Sequence, residues 1–330
     1  MSAPPRLRGR TPFAILLVLL TAAGLPLAGA ATAQAGWSRP SAAGGAANST
    51  SPRRGVFYAL GSPAATSVKR VVVSPTGKVL SQRVVLRWKG GIELADARPG
   101  QLLYYALTGQ KRDLRLATFG STTRTRSLRV ATPDDFPGAV SFDRTGTMAL
   151  VGQVPVSKKY GRLVWVSLAT GEPVRSRRIS GPGKLLRVDA SRGDNFLEWT
   201  VGWPRSVQVV NRVQAGRQVR ETTFRQNQHG YAVPMAVSGR GAIAVKVSHS
   251  SDETVQVRGA WRPRLILRNV CDPLPADSIM ALTWVGPRLL LAGCAPDQSV
   301  YRLVDLRGTT PRLSWVKGLG PSNEGPVGIG

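Results

Sequence analysis

The feature that most constrains this fold is a glycine-containing turn between two apolar strands, which recurs along the chain. Five stretches carry it, beginning at residues 102, 163, 207, 255 and 300. The intervals between these starting points are 61, 44, 48 and 45 residues, so three of the four agree closely. A repeat of this length is typical of stacked structural units. The sequence therefore predicts a repeat protein built from strands.

A second glycine turn precedes each of the five stretches. The glycines of these turns are Gly77, Gly146, Gly193, Gly241 and Gly286. Their spacings are 69, 47, 48 and 45 residues, with the long interval again in first place, so we expect an insertion at residues 121–136. Glycine accommodates tight turns between antiparallel strands. Each unit then holds four antiparallel strands, which is the pattern of a propeller blade.

The predicted fold is all-β, a β-propeller of five or six four-stranded antiparallel blades. Five full units are visible, and residues 55–71 supply either half of a sixth or a strand that closes the ring on the last blade. The tail after Lys317 could add one more strand. Six blades would require one blade built from both ends of the chain. A pair of β-sandwiches is the main alternative fold.

Two stretches carry a resemblance to a known family. The sequence FDRTGTMALVG at residues 142–152 is followed by LVWVSLATGE at residues 163–172, and SPTGK and VDLRGT recur at residues 74–78 and 304–309. These stretches resemble the TolB-like and WD40-like propeller repeat, over roughly residues 68–317. The chain departs from that pattern because Thr76 and Thr145 replace the turn aspartate and no Trp-Asp dipeptide occurs. The resemblance implies a fold and transfers no catalytic residue.

The N-terminus has the pattern of a secretory signal peptide. Arginines precede the apolar run FAILLVLL at residues 13–20, and Ala33-Gln34-Ala35 fits a cleavage site. Retention as an uncleaved anchor is the alternative. Once the signal is cleaved, we expect no transmembrane span and a protein that is secreted or associated with the cell envelope. The predicted segments are a signal peptide at 1–35, a flexible linker at 36–54 and the propeller at 55–330.

Cys271 and Cys294 are the two cysteines of the chain. In an exported protein, an even count favours a disulfide, and two buried free thiols are the alternative. Two thiols without a nearby histidine make a poor metal site. We therefore expect one disulfide and no metal.

The net charge is strongly positive, because the chain has 45 lysines and arginines but 18 acidic residues, which gives a formal net charge of +27. This charge favours an anionic partner, such as a phosphate-rich polymer. However, the arginines are scattered, many at alternate strand positions, which favours a composition bias of the genome over a dedicated patch. Export makes nucleic acid an improbable partner in the cell.

Motifs for catalysis or for cofactors are absent from the sequence. His229 and His249 occur in polar loop sequences, and no nucleophile elbow or phosphate-binding loop accompanies them. The adjacent Asp134 and Asp135 are more typical of a turn than of an acid/base pair. We expect no catalytic residue, cofactor or metal ligand.

Three tryptophans occur in predicted loops beside cations or glycine. Trp88 precedes Lys89, and the pairs Trp203/Arg205 and Trp261/Arg262 combine an aromatic ring with a guanidinium. Such pairs suit a sugar or a polyanion. We predict a binding rim that contains these five residues: Trp88, Trp203, Arg205, Trp261 and Arg262.

The function predicted from these features is a secreted, non-enzymatic propeller that binds an envelope protein or an anionic polymer through loops at one face of the ring. We expect a monomer. The alternative is a propeller-type hydrolase or lyase that uses carboxylates at the central channel, although the low count of acidic residues and histidines weighs against it.

Overall fold

The chain divides into two units, residues 1–49 and residues 50–330, and everything described below lies in the second. The predicted signal peptide, the linker up to residue 53, both histidines and Trp203 with Arg205 lie outside the described residues. The computed structural model describes residues 54–61, 65–109, 111–130, 135–143, 145–155, 160–180, 184–189, 195–201, 207–214, 217–225, 235–238, 241–248, 253–259, 261–274, 279–294, 300–319 and 326–329.

The described residues form strands and turns without helices, as the all-β prediction requires. None of these residues belongs to a helix that is long and apolar enough to span a bilayer. The strands in chain order are β1 (Gly55–Leu60), β2 (Ser67–Val73), β3 (Val79–Arg87), β4 (Ile92–Arg98), β5 (Gln101–Thr108), β6 (Lys111–Phe119), β7 (Thr123–Ser127), β8 (Asp135–Phe142), β9 (Met148–Pro155), β10 (Tyr160–Ser167), β11 (Pro173–Ser180), β12 (Lys184–Asp189), β13 (Asn195–Val201), β14 (Val207–Gln214), β15 (Arg217–Arg225), β16 (Met235–Val237), β17 (Ile243–Ser248), β18 (Glu253–Gly259), β19 (Arg262–Arg268), β20 (Ile279–Gly286), β21 (Leu289–Cys294), β22 (Val300–Asp305), β23 (Arg312–Val316) and β24 (Val327–Gly328).

Within the described residues these strands form six four-stranded antiparallel sheets, the blades of a propeller. Blade 1 has the order β24-β1-β2-β3, and blades 2 to 6 take the following strands four at a time. The first strand of each blade is the inner strand, because β4 contacts β8, β8 contacts β12, β16 contacts β20, and β24 contacts both β20 and β4. The fourth strand of each blade is the outer strand. The β-propeller prediction is thus confirmed.

Blade 1 is built from both ends of the chain, which decides between the two predicted blade counts. Its inner strand β24 pairs with β1, with Tyr58 opposite Val327 and Phe57 opposite Gly328. The tail after Lys317 therefore supplies the closing strand. The backbones of β24 and β20 lie close together at this point, because a Cβ atom on Gly328 would lie 2.0 Å from the carbonyl oxygen of Trp284. Only glycine fits this contact without a shift of the backbone.

The hydrophobic core lies between neighbouring blades. One cluster joins Phe57 and Val71 of blade 1 to Leu291 and Tyr301 of blade 6, and the rings of Phe57 and Tyr301 lie 6.1 Å apart. Other clusters join blade 1 to blade 2, blade 2 to blade 3, and blade 5 to blade 6. Because each blade buries the face of the next, second strands such as β1, β5 and β21 are nearly continuous in apolar residues.

The predicted insertion at residues 121–136 is wrong. This segment contains β7, which is the outer strand of blade 2, and it ends in β8. The stretch that begins at residue 102 forms β5 and β6, the second and third strands of blade 2, whereas the stretch that begins at 163 belongs to β10 and β11, the third and outer strands of blade 3. The two stretches are therefore different hairpins of the blade.

With the correct alignment the repeat is regular. The third strands of the six blades begin at residues 67, 111, 160, 207, 253 and 300. The intervals are 44, 49, 47, 46 and 47 residues, so no long insertion separates the blades. The turn after the third strand contains Gly77 in blade 1 and Gly171 in blade 3, both with positive φ. A Cβ atom on either would lie 2.8 Å or less from a carbonyl oxygen on the outer strand of the preceding blade.

Cys271 and Cys294 form a disulfide, as predicted, with their Cα atoms 5.7 Å apart. Cys271 follows the outer strand of blade 5, and Cys294 ends the second strand of blade 6. Both residues are buried in the cluster between these blades. The bond therefore fastens one blade to the next.

Candidate binding surface

Of the five residues predicted for a binding rim, the structure describes the side chains of Trp88 and Trp261. Arg262 begins β19, but its side chain lies outside the described part of the structure, as do Trp203 and Arg205. The binding role of these residues stays a prediction.

Trp88 lies in the connection between β3 and β4, half-buried against the cluster that joins blades 1 and 2. Its backbone N–H donates to the carbonyl oxygen of Thr66 at 2.9 Å. The Arg115 guanidinium carbon lies 4.6 Å from the centre of the indole ring. One face of the ring is therefore engaged by a cation of the protein itself.

Trp261 has a similar environment in the turn between β18 and β19. It packs against the cluster between blades 5 and 6, and the Arg288 guanidinium carbon lies 5.2 Å from the ring centre. In an up-and-down blade, successive connections alternate between the two faces of the ring. Trp88 connects an outer strand to the next inner strand, whereas Trp261 connects a third strand to an outer strand. The two tryptophans therefore lie at opposite faces.

The outer strands carry the most distinctive surface of the described structure. Their sequences are VLSQRVVLR, TRTRS, PVRSRRIS, RQVRETTFR, RPRLILR and RLSWV. They contain fourteen arginines, no lysine and a single acidic residue, Glu221. A random share of the charged residues would include several more acids, so this imbalance marks the outer strands as one basic surface, which we call the arginine perimeter.

The side chains of the arginine perimeter are accessible. All five of the outer strands whose side chains are described carry at least one exposed arginine. These exposed residues are Arg83, Arg87, Arg124, Arg126, Arg175, Arg178, Arg264, Arg268 and Arg312. Exposed aliphatic side chains lie beside them, with Val174 57% exposed and Leu80 42% exposed.

Local contacts hold several perimeter arginines in place. The Arg175 guanidinium carbon lies 4.2 Å above the ring of Trp165, its partner across the β10–β11 pair. Arg126 donates from Nη1 to the carbonyl oxygen of Leu168 at 3.1 Å, which joins blade 2 to blade 3. A stacked guanidinium keeps its N–H edges available for an anion.

Neighbouring outer strands also contact each other directly. The Thr123 hydroxyl donates to the carbonyl oxygen of Val85 at 3.0 Å, from β7 to β3. The Gln82 amide donates to the carbonyl oxygen of Gly318, just after β23, at 3.5 Å. The basic surfaces of blades 6, 1 and 2 are therefore continuous around the ring.

Several of the described carboxylates are used within the fold. Glu93 pairs with Arg112, and Glu253 pairs with Lys246 at 2.5 Å in a buried bridge whose two members bind the backbone of Ile279. Asp96 accepts from the backbone N–H of Phe142 at 2.7 Å, from blade 2 to blade 3. These contacts fasten strands to each other and do not assemble a pair of carboxylates.

Asp305 shows the effect of such pairing on ionisation. Both of its oxygens accept from the Arg307 guanidinium, at 2.8 and 2.6 Å. These hydrogen bonds hold the pKa of the Asp305 carboxyl below its ordinary value, against the opposing effect of burial. Among the described residues, no group of three or more His, Cys, Asp or Glu side chains is placed to hold a metal ion.

The arginine perimeter was not selected as a site from the sequence. The signal was present, because arginines recur at alternate positions in the strand after the glycine turn. Alternation along one strand shows only that these side chains share a face. That the strands are the outer ones of successive blades becomes visible only in the folded ring.

Comparison with known proteins identifies the architecture. No family model and no curated protein matches the sequence. Among solved structures, TolB from Acinetobacter baumannii is 14% identical, with a TM-score of 0.55 over 83% of this chain and 66% of that one, so this chain spans just under two thirds of TolB. The periplasmic gluconolactonase of Pseudomonas aeruginosa gives 13% identity and a TM-score of 0.48, over 83% of this chain and 97% of that one.

The Cps50 (Swd1) β-propeller domain of Myceliophteria thermophila is 16% identical, with a TM-score of 0.43 over 73% of this chain and 77% of that one. Of the three, TolB alone has a TM-score above 0.5, and at 14% identity the likeness concerns the fold. The chain is therefore a β-propeller whose fold is similar to that of TolB.

Proposed function

We propose that this protein is a secreted, non-enzymatic module of the cell envelope, and that its arginine perimeter binds an anionic polymer. The observation that carries the proposal is the concentration of exposed arginines on the outer strands, which hold fourteen arginines and one acidic residue. Guanidinium groups donate two parallel hydrogen bonds to a phosphate or a carboxylate. A polymer that bears such groups is the ligand class that this surface fits best.

The arrangement of the arginines around a ring favours a flexible chain over a flat surface. A planar membrane or a rigid wall can touch one arc of the perimeter at a time. A flexible polymer can follow consecutive outer strands, such as β3 and β7, which contact each other through Thr123 and Val85. Each phosphate that pairs with an arginine releases a bound counterion, so affinity grows with the number of strands that the polymer follows.

Two features support export. The predicted signal peptide at residues 1–35 would direct the chain out of the cytoplasm. The disulfide between Cys271 and Cys294 is of the kind that persists in oxidising compartments. An exported chain with a net charge of +27 meets the anionic polymers of the envelope before it meets nucleic acid.

The test is a titration with polyphosphate of defined length at several salt concentrations. In the perimeter variant, six exposed outer-strand arginines are changed to glutamine: Arg83, Arg87, Arg124, Arg175, Arg178 and Arg264. In the matched control, six exposed cations from other parts of the described structure are changed to glutamine: Arg54, Lys78, Lys89, Lys111, Arg162 and Lys317. Both variants lose the same net charge, so a difference in their polymer affinity does not come from net charge.

We expect the perimeter variant to bind polyphosphate at least about tenfold more weakly than the control, with a shallower dependence on salt. Equal losses in the two variants would mean that net charge alone attracts the polymer. That outcome would leave the arginines with the role of preventing association between edge strands, which charged side chains commonly serve. Poly-glutamate in place of polyphosphate shows whether the surface prefers phosphate or carboxylate.

A further inference from the structure

A cavity of about 370 Å³ opens on blade 2, next to its boundary with blade 3. Its volume lies near the lower end of the range for small-molecule pockets, about 300–1,000 Å³. Its walls are of two kinds. Tyr105, Leu114, Leu128 and Val130 form the apolar part, and Arg112, Asp113, Ser127 and Arg129 form the polar part.

The apolar wall is a rigid part of the core. Tyr105, Leu114 and Leu128 are at most 3% exposed and belong to the cluster that joins blades 2 and 3, with Val130 packed against it. The backbone N–H of Leu128 donates to the carbonyl oxygen of Leu114 at 2.8 Å. This wall is therefore preformed, and an apolar group of a ligand would meet it without a rearrangement of the protein.

Three of the four polar side chains are already fixed by the protein. Arg112 lies over the ring of Tyr105, with its guanidinium carbon 4.8 Å from the ring centre, and it pairs with Glu93. Asp113 accepts a hydrogen bond from the Ser127 hydroxyl at 2.5 Å. These groups shape the cavity and give it both signs of charge.

Arg129 differs from them because its guanidinium is loosely held. Its backbone N–H donates to the carbonyl oxygen of Gly171 at 2.7 Å, which fixes the main chain. Its side chain is 79% exposed and pairs at 3.2 Å with Glu172, itself 49% exposed. Exposed pairs of this kind contribute little, about 0–1 kcal/mol. A ligand anion can therefore replace Glu172 at Arg129 with little loss.

We propose that this cavity binds a small amphiphilic anion, with a carboxylate or phosphate head on Arg129 and a short branched apolar body against Leu114, Leu128 and Val130. The site is distinct from the arginine perimeter, because it selects for an apolar group as well as a charge. It also differs in capacity, since it takes one small molecule where the perimeter takes a chain. The proposal does not depend on the polymer-binding function.

The experiment compares three probes that share one apolar body: 3-methylbutanoate, 3-methylbutyl phosphate and the uncharged 3-methylbutan-1-ol. Binding is followed by ligand-observed NMR, with dissociation constants from titration. We expect saturable binding of at least one anion, and an affinity for the alcohol about two- to fivefold lower, because the exposed ion pair with Arg129 is lost. The tighter of the two anions identifies the head group.

Two substitutions locate the site. Arg129→Gln removes the partner of the head group and should weaken binding about two- to fivefold. Val130→Trp fills the cavity without a change of charge and should weaken binding at least about tenfold. Arg162→Gln, at an exposed arginine on β10, is the matched control and should bind like the unmodified protein. Circular dichroism reports whether Val130→Trp folds, and the exposed Arg129→Gln carries the test if it does not.

Equal binding of the alcohol and the anions would overturn the proposal. So would equal binding by the Arg129→Gln and Arg162→Gln variants, or the absence of saturable binding by both anions. Polyphosphate titration of Arg129→Gln shows whether loss of the cation at the cavity also changes polymer binding at the arginine perimeter. If neither anion binds the cavity while the perimeter variant still loses polymer affinity, the cavity proposal is wrong and the polymer-binding function is retained.

Discussion

The inner and outer strands of the blades differ in the balance of their acidic and basic residues and in the contacts that these residues make. The inner strands contain four acidic residues and three basic ones, Glu93, Asp96, Asp135 and Asp189 against Arg98, Lys184 and Arg187. The outer strands contain fourteen arginines and one acid. Described inner-strand acids make contacts between strands, as Asp96 does with Phe142. The comparison teaches that the inside of the ring uses charge for structure, whereas the outside displays it.

The largest expected effect on the free energy of unfolding comes from a substitution on an inner strand. Trp284 on the inner strand β20 is 2% exposed, and its indole N–H donates to the carbonyl oxygen of Ala236 in blade 5 at 3.2 Å. Trp284→Ala should lower the free energy of unfolding by about 3–5 kcal/mol, because it leaves a cavity and an unpaired carbonyl. Urea denaturation followed by circular dichroism measures this.

Val174→Ala on the outer strand β11 is the matched comparison, because Val174 is 57% exposed. We expect a change within about 0.5 kcal/mol. Similar losses in the two variants would contradict a division between a structural interior and a display surface.

The disulfide gives a second test of the comparison between the inside and the outside of the ring. It joins the end of an outer strand to the second strand of the next blade. Replacing both Cys271 and Cys294 with serine opens a loop whose ends are 23 residues apart. The chain-entropy model predicts a loss of about 3 kcal/mol in the free energy of unfolding. Denaturation of the unmodified protein with and without reductant should reproduce the difference. No change with reductant would show that blade 6 holds its position by packing alone.

Acid should weaken the partly buried pair of Asp305 and Arg307, with a smaller effect on stability than loss of the disulfide. Since the pKa of Asp305 is lower in the folded protein than in the unfolded chain, its pairing with Arg307 stabilises the fold above the unfolded pKa. This contribution is lost as the pH falls through the folded pKa. Asp305→Asn should therefore lower stability by about 1 kcal/mol or less at neutral pH and remove part of its dependence on acid. Parallel stability curves for the two proteins between pH 2 and pH 6, about the range of carboxyl titration, would refute this role.

The smallest effect on stability should come from the perimeter itself. The single substitution Arg124→Gln, at an exposed position of β7, should leave the free energy of unfolding unchanged within about 0.5 kcal/mol. The same substitution should reduce the slope of polyphosphate affinity against salt by about one unit. A stability loss without a change in that slope would reverse the roles assigned to the two regions.

The local pattern of the sequence predicted much of the fold, and its one error has a physical cause. Every hairpin of a blade is an antiparallel pair with a tight turn, so the β5–β6 hairpin at Gly109 looks like the β10–β11 hairpin at Gly171. Sequence alone does not say which hairpin of the blade is present. The position of β7 in blade 2 resolves the alignment, because it supplies the missing outer strand.

The candidate sites depended more strongly on the folded structure. Trp88 and Trp261 have the same sequence signature, an aromatic ring beside a turn, yet the chain carries them to opposite faces. The cavity on blade 2 is lined by residues between Tyr105 and Val130, which lie on three strands and a connection, so no short sequence pattern predicts it. Such sites arise from residues that are distant in sequence and close in space.

The sequence by itself predicted the strands, the existence of a repeat and the disulfide. Glycine turns and apolar alternation are local features, and an even number of cysteines in an exported chain favours pairing. The tertiary structure alone decided the blade number and the place of the charge. Blade 1 closes through Val327 and Gly328, a pair too short to have a propensity of its own, which is held by its contacts with Tyr58 and Phe57. The arginines form one surface because the ring places each outer strand at its perimeter, where a guanidinium keeps its hydration and an apolar side chain gains little from burial.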